Sequence, residues 1–235
     1  MKGFDVLAIL LDPRFADMLW SGVKMTLVIA LASWLLAMSL AFVLLGLRLM
    51  PHVVPQRAVQ AYVSYHRNVP TLVQLMLWYF GIANLLPGPL QSWLAAHHAE
   101  AVFAVIGLGL CQAAYFSEDL RSGLRAVSTG QAEAARSLGH GFVSTLRFVL
   151  LPQAVRNALP ALVNHSVSLF KNSSLAMAIG VAELTHAVKE IENLSFRAFE
   201  SYLLATVMYL ALSTLIMALG LWLEKRTRIA GQGAH

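Results

Sequence analysis

Five long apolar segments limit the folds open to this chain more than any other feature of its sequence. A helix needs about 20 apolar residues to cross a hydrocarbon layer about 30 Å thick. Segments of that kind lie near residues 24–48, 58–83, 101–121, 157–181 and 200–223. Only 12% of the 235 residues are charged, whereas soluble domains carry about 25%. The sequence therefore predicts an all-α integral membrane protein with about five transmembrane helices.

Lysine and arginine concentrate in alternate connections between these segments. The connection from Asn84 to Glu100 has neither residue type. The positively charged positions of the first connection, the third connection and the chain end are Arg48, Arg57, Arg67, Arg121, Arg125, Arg136, Arg147, Arg156, Lys225, Arg226 and Arg228. Because positive loops stay in the cytoplasm, we expect the N-terminus outside and the C-terminus inside. These arginines explain the net charge of +5, so no nucleic-acid partner is expected.

The third connection, residues 128–152, is a polar loop inside an otherwise membrane-soluble sequence. Ser128 followed by Gln131 predicts a capped helix start, and Gly139 is placed to end that helix before a second helical run. Small alanines on an exposed helix face allow close approach of another protein, with charged contacts at the rim. An amphipathic helix lying on lipid is the alternative. The predicted docking residues are Gln131, Glu133, Ala134, Ala135, Arg136, Gly139 and Pro152.

The spacing in this loop resembles the signature E-A-A-x3-G-x9-I-x-L-P of the membrane subunits of bacterial ABC importers, with Val149 in place of the usual isoleucine. Three further segments resemble motifs of the permeases that import polar amino acids. His66–Leu75 is similar to R-N-x-P-x-L-V-Q, Ala114–Gly123 to A-Y-x-A-E-x-x-R-G-G, and Phe170–Leu175 to K-D-T-S-L. Three short strings, Lys171–Ala176, Trp78–Phe80 and Glu224–Arg226, look most similar to permeases for glutamate and aspartate.

The resemblance implies a type I ABC importer permease fold in a bacterial cytoplasmic (inner) membrane. It implies an external segment at 1–23, a transmembrane domain at 24–225 that contains the loop 128–152, and a cytoplasmic tail at 226–235. The expected partners are a cytoplasmic ABC ATPase dimer, a second permease subunit, identical or related, an external solute-binding protein and membrane lipid. ATP would bind to the ATPase, so neither a cofactor nor enzymatic activity is expected here.

Polar side chains inside the apolar segments indicate a path for the substrate, because an ionisable group at bilayer depth needs a partner or a wet cavity. At 100° per residue, Asn157, Asn164, Ser168 and Lys171 share one helix face. A hydrogen-bonded seam between helices is the alternative. The predicted path residues are Asn164, Ser168, Lys171, Asn172, Ser173, Ser174, Tyr115, Tyr202, Thr206 and Tyr209.

One departure from the family pattern bears on the cargo. The family usually has aspartate after the lysine, whereas this chain has Asn172, so Lys171 loses its adjacent counter-charge. An anionic amino acid would suit that site, since opposite charges attract strongly at low dielectric. Glu118 or Asp119 is expected to pair with Arg121 or Arg125 near the inner surface.

Other chemistries lack the residues that they require. No Gly-Lys pair occurs, so the phosphate-binding loop G-x4-G-K-[S/T] is absent. The single cysteine, Cys111, cannot form an internal disulfide. His97, His98 and Glu100 do not follow metal-ligand order, so we expect no metal site. The remaining alternatives are a secondary transporter or channel subunit and, with less support, a membrane enzyme.

Overall fold

The computed structural model describes residues 5–227, and within that range the chain is helical and contains no β-strand. The all-α prediction is therefore confirmed. The helices are α1 (Leu7–Leu10), α2 (Pro13–Arg48), α3 (Val53–Asn68), α4 (Thr71–Met76), α5 (Gly88–Ala96), α6 (Ala99–Arg125), α7 (Thr129–Ser137), α8 (Phe142–Thr145), α9 (Leu151–Asn172), α10 (Leu184–Ser195) and α11 (Ala198–Thr227). Most of the predicted tail, residues 228–235 with Arg228, lies outside the described residues.

Among the described residues, three helices are long and apolar enough to cross a membrane: α2, α6 and α11. They contain the predicted spans 24–48, 101–121 and 200–223. However, α2 begins at Pro13, well before residue 24, because Asp12 caps it and accepts a hydrogen bond from the Arg14 backbone nitrogen at 3.0 Å. The polar residues Asp17 and Lys24 are exposed and do not interrupt the helix.

The second predicted span, 58–83, is not one helix. It is divided between α3 and α4, and α4 continues as a π-helical segment, Leu77–Gly81, and a 3-10 turn, Ile82–Leu85. The break falls at Val69, which is extended with φ −98° and ψ 131°. Proline explains the break, because Pro70 lacks a backbone N–H and disfavours helical geometry in the residue before it.

The fourth predicted span, 157–181, is also displaced. The α8 helix runs through a π-helical segment, Leu146–Leu150, directly into α9, so the helical rod begins within the polar loop. Beyond α9 the chain continues as a 3-10 segment, Ser173–Ile179. Gly180 ends it with φ +92°, a left-handed conformation that suits glycine.

The α6 helix lies at the centre of the bundle and packs against α2, α3, α4 and α9. A core cluster where α2, α3, α6 and α9 meet includes Ala41, Val59, Phe116 and Leu162. By contrast, α11 buries only Glu200, Ser201 and Ala205. Its exposed apolar length is suited to contact with lipid.

The α10 helix lies between α2 and α11. Its start is fixed by the buried Glu183 side chain, which accepts hydrogen bonds from the backbone nitrogens of Thr185 and His186, each at 2.9 Å. The Tyr209 hydroxyl of α11 donates to the same carboxylate at 2.7 Å. Glu183 therefore joins the two helices as well as capping one of them.

Candidate functional site: the coupling loop and the polar helix faces

The polar loop folds into an exposed helix, a glycine turn and a second helix, as its sequence predicts. Gly139 has φ +86°. The backbone nitrogens of Gly139 and His140 donate to the carbonyls of Arg136 and Ala135, at 2.9 and 3.1 Å. These are the two hydrogen bonds of a Schellman motif, which closes a helix through a left-handed residue.

The start of α7 differs from the prediction. Ser128 occupies the N-cap position with extended geometry, yet its side chain makes no capping hydrogen bond, so the expected capping box is absent. Gln131 instead accepts a hydrogen bond from the Gln153 side chain at 3.2 Å. This contact ties the exposed helix to the first turn of α9.

The predicted docking residues fall mostly on the open surface. Glu133, Ala134 and Arg136 are exposed, as are Gly139 and Pro152. Ala135 is different: it is buried against the rest of the loop and cannot contact a partner directly. Of the two central alanines of the motif, one therefore faces outward and the other anchors the helix.

An apolar patch adjoins these charged residues, and sequence reasoning did not identify it. Its members are Leu138, Phe142, Val143 and Phe148, each at least 60% exposed. Exposed apolar side chains surrounded by polar ones mark protein interaction sites. The available signal was the position of these apolar residues within a polar loop, beside Gly139, Gly141 and Arg147.

The predicted path residues on α9 divide into an open face and a seam. Asn164 and Lys171 are exposed and Ser168 is partly exposed. Asn157 instead donates a hydrogen bond to the Gly123 carbonyl of α6 at 3.3 Å. Arg156 and Pro160 extend the open face toward the coupling loop. The lysine ammonium has no hydrogen-bond or ion-pair partner among residues 5–227.

At the C-terminal end of α9, the serines that follow the open face make local hydrogen bonds. Ser173 is fully buried and donates to the Phe170 carbonyl at 2.6 Å, and Ser174 donates to the Lys171 carbonyl at 2.7 Å. Asn172 is partly exposed. In this conformation Ser173 does not line an open surface.

The predicted path residues on α11 lie apart from the open face of α9. Tyr202 is exposed and donates to Glu192 of α10 at 2.8 Å, and Thr206 donates to the Tyr202 carbonyl. Tyr209 points toward Glu183, and its ring lies 5.7 Å from that of Phe170. Tyr202 and Tyr209 therefore serve the junction with α10, whereas Thr206 donates within α11.

Tyr115 of α6 connects three helices. Its ring lies 5.2 Å from that of His165 on α9, and the Arg67 guanidinium of α3 lies 5.5 Å from its centroid. His165 Nδ1 is 2.6 Å from an Asp119 carboxylate oxygen. Asp119 thus pairs with a histidine, and Glu118 is the acidic residue that makes the expected contact with an arginine.

Glu118 is a shared partner of two arginines. Its carboxylate lies 2.5 Å from Arg121, as the sequence predicted, and 2.5 Å from Arg48 at the end of α2. The second contact joins residues far apart in sequence, so no local pattern could reveal it. The pair of contacts fixes α2 to α6 on the side of the bundle that carries the coupling loop.

Gln74 makes hydrogen bonds to the groups that the helix break at Pro70 leaves unpaired. Its amide nitrogen donates to the carbonyls of His66 and Val69 at 3.1 and 2.7 Å, and its amide oxygen lies 2.5 Å from His66 Nδ1. Buried carbonyls freed by a proline must find donors within the protein. The glutamine of the segment His66–Leu75 therefore has a structural role, which sequence reasoning left unassigned.

A helical membrane bundle with an exposed, Schellman-closed loop helix of this spacing is the arrangement that the resemblance to ABC importer permeases implies. Comparison with known proteins agrees. The family model for the binding-protein-dependent transport system inner membrane component matches residues 35–229. The chain belongs to that family, and its resemblance to polar amino-acid permeases is confirmed.

Two relatives and one solved structure illustrate the similarity. The chain is 34% identical to a probable amino-acid ABC transporter permease, PatM, of Vibrio harveyi, over 83% of this chain and 86% of that relative. It is 29% identical to the glutamate/aspartate import permease GltJ of Escherichia coli K12, over 94% and 91%. A crystal structure of an amino acid ABC transporter with histidines has a TM-score of 0.82 at 28% identity, covering 95% of this chain and 99% of that one.

Proposed function

We propose that the chain is the permease subunit of an ATP-driven importer of acidic amino acids, with glutamate or aspartate as cargo. Amino-acid import through an ABC permease follows from the family and its relatives. The observation that carries the mechanism is the exposed loop helix with its apolar patch. A separate ATPase dimer would bind this surface, and ATP-driven closure of that dimer would move the loop and the attached α9 helix.

The direct continuity of the loop with α9 supports this coupling. A rod of α8, π-helical turn and α9 runs from Phe142 to Asn172 without a break in helical structure. A push at the loop would therefore reach the open polar face along one continuous helical element. A secondary transporter or channel, the second candidate, has no need for such an exposed docking loop.

Charge reversal at Glu133 tests the docking assignment. Residue 133 is exposed, so Glu133→Lys should disturb no packing and the permease should still insert. We expect it to lose ATPase co-purification and ATP-driven uptake, because charged rim contacts would become repulsive. Glu100→Lys, the same change in the first turn of α6 at the opposite end of that helix from the coupling loop, is the matched control and should retain both. Unchanged co-purification and uptake in Glu133→Lys would refute the assignment.

The open face of α9 supports pairing with a second permease subunit, identical or related. Arg156, Asn164 and Lys171 lie along this face without covering residues. Exposure of such a face to acyl chains is costly, about 2.5–3.5 kcal/mol for a central charge. A second permease subunit and a water-filled path between the two would cover it, with an external solute-binding protein supplying cargo. This arrangement assigns Asn164, Ser168 and Lys171 to the path.

An acidic cargo is supported by the unpaired charge of Lys171 and by the similarity to GltJ. Glu118 was one conceivable counter-charge for this lysine, but it already pairs with Arg48 and Arg121. The second carboxylate of glutamate or aspartate would then complete the site. The N-terminus would lie outside and the C-terminus in the cytoplasm, as the loop charges predict.

Removal of this charge tests the cargo. Lys171→Met should reduce uptake of glutamate and aspartate by roughly 10- to 100-fold, because a hydrogen bond to a charged group contributes about 1.5–3 kcal/mol. Uptake of a neutral amino acid should fall less. Lys24→Met, an exposed lysine of α2, is the matched control. Equal uptake by wild type and Lys171→Met would rule out this role, while basal ATPase activity reports on assembly.

A further inference from the structure

A polar cavity of about 750 Å³ lies between the end of α2, the length of α3 and the last turns of α6. Nine residues line it, and Val63 is the only apolar one. The cavity opens on the side of the bundle that bears the coupling loop, since Arg48 and Arg121 lie at the ends of helices that lead to that side. It shares no residue with the open face of α9.

The charges that line this cavity are unbalanced. Three guanidinium groups, from Arg48, Arg67 and Arg121, face one carboxylate, that of Glu118. Glu118 is already engaged by Arg48 and Arg121 at 2.5 Å each. Arg67 packs on the Tyr115 ring and has no acidic partner within residues 5–227. The lining therefore carries a net charge of +2.

A small carboxylate is the ligand class that this lining fits. Arginine binds carboxylates through paired N–H donors, and ligand sites commonly measure about 300–1,000 Å³. Gln60 adds an exposed amide that makes no hydrogen bond to any described side chain or backbone group. A phospholipid headgroup would bring acyl chains, for which a lining with only one apolar residue offers no surface.

We propose that this cavity is a second cargo site, which holds the carboxylate of the imported amino acid after it leaves the α9 face and before its release. The inference rests on the proposed import function. Arg67 supplies the guanidinium that is free to bind, while the Glu118 pairs hold the other two arginines in place. Gln60 contributes a neutral polar contact.

Binding to the purified permease–ATPase complex, without ATP or solute-binding protein, tests the site. The probe is radiolabelled L-glutamate, and every complex carries Lys171→Met so that the α9 face does not contribute; this background stands as wild type in the binding comparison. Arg67→Gln should weaken its binding about tenfold or more, as expected for loss of a charge-assisted hydrogen bond. Gln60→Glu, which adds a negative charge to the cavity, should weaken it similarly. Arg57→Gln removes the same charge from an exposed position of α3 outside the cavity and should bind as wild type.

Competition identifies the ligand chemistry. Succinate, a dicarboxylate, should displace the bound glutamate. Putrescine, which has amines but no carboxylate, should not displace it. Displacement by phosphatidylglycerol in place of succinate would assign the cavity to lipid and overturn the proposal. Equal binding by wild type, Arg67→Gln and Gln60→Glu would also overturn it, even where ATP-driven uptake proceeds normally. If the unmodified protein shows no ATP-driven amino-acid uptake at all, the proposed function itself is refuted.

Discussion

Replacement of Gly139 by valine isolates the role of the turn in the coupling loop. Gly139 has φ +86°, and a Cβ added there would meet no atom within 4 Å. The substitution therefore introduces no clash, and its cost is conformational. An L-residue in the left-handed region costs about 1–2 kcal/mol, and a β-branched one falls in the upper part of the range of about 1–3 kcal/mol.

That cost translates into a measurable loss of coupling. Because about 1.4 kcal/mol is a tenfold change in an equilibrium constant, a cost of about 2–3 kcal/mol means that Gly139→Val should lower the equilibrium constant for the docking conformation roughly 30- to 150-fold. The assay is ATP-driven amino-acid uptake in proteoliposomes with the ATPase and solute-binding protein, together with ATPase affinity. Both should fall by about that factor while insertion and thermal stability of the bundle stay near wild type.

Two matched variants separate the backbone effect from the added side chain. Gly141 lies two residues away with φ −70°, and a Cβ there also meets nothing within 4 Å. Gly141→Val should therefore couple nearly normally. Gly139→Asn should recover much of the loss, since asparagine tolerates the left-handed region. Equal coupling by Gly139→Val and Gly141→Val would refute the reasoning.

Three further predictions concern packing, capping and topology. Gly123→Val should destabilise the bundle by at least about 1–3 kcal/mol, seen as a lower melting temperature, because its Cβ would overlap the Ala154 carbonyl oxygen and lie 2.9 Å from the Ala158 Cβ; an unchanged melting temperature would contradict this. Glu183→Ala should cost about 2–4 kcal/mol, since it removes a helix cap and a tyrosine partner, whereas Glu183→Gln should retain most stability; equal effects would argue against the hydrogen-bond network. A reporter placed near Pro89 should be active only in its exported form, and one fused at the chain end only in its cytoplasmic form; the reverse at either place would refute the topology.

The elements that local sequence determines were predicted well. The helix ending at Gly139 follows from a glycine after an alanine-rich run, and its Schellman geometry agrees. The central helix α6 and the last helix α11 lie where the apolar segments indicated. These features depend on propensity, apolar length and a single glycine, all of which can be read along the chain.

The elements that tertiary contacts determine were predicted less well. The sequence reading missed the helical start at Pro13, since residues 13–23 are too polar to read as a span and are held by packing against α10. It merged α3 and α4 because apolar residues continue across Pro70. It did not reveal that the Tyr209 hydroxyl donates to Glu183, and the assignment of Tyr209 to the path stays a prediction. A periodic polar face indicates hydrogen bonding but does not identify the partner.

The unpaired positive charges on the open face of α9 also bear on the stability of the subunit. Arg156 and Lys171 on the α9 face make no ion pair with any residue of the described chain. A charge at bilayer depth costs about 2.5–3.5 kcal/mol, and Lys171 belongs to a predicted span, whereas Arg156 lies beside the coupling loop. The cost for Lys171 alone is a sizeable fraction of the stability of a typical domain, about 5–15 kcal/mol. Burial of this face against a second permease would remove that cost, so the residues that line the proposed path would also favour assembly.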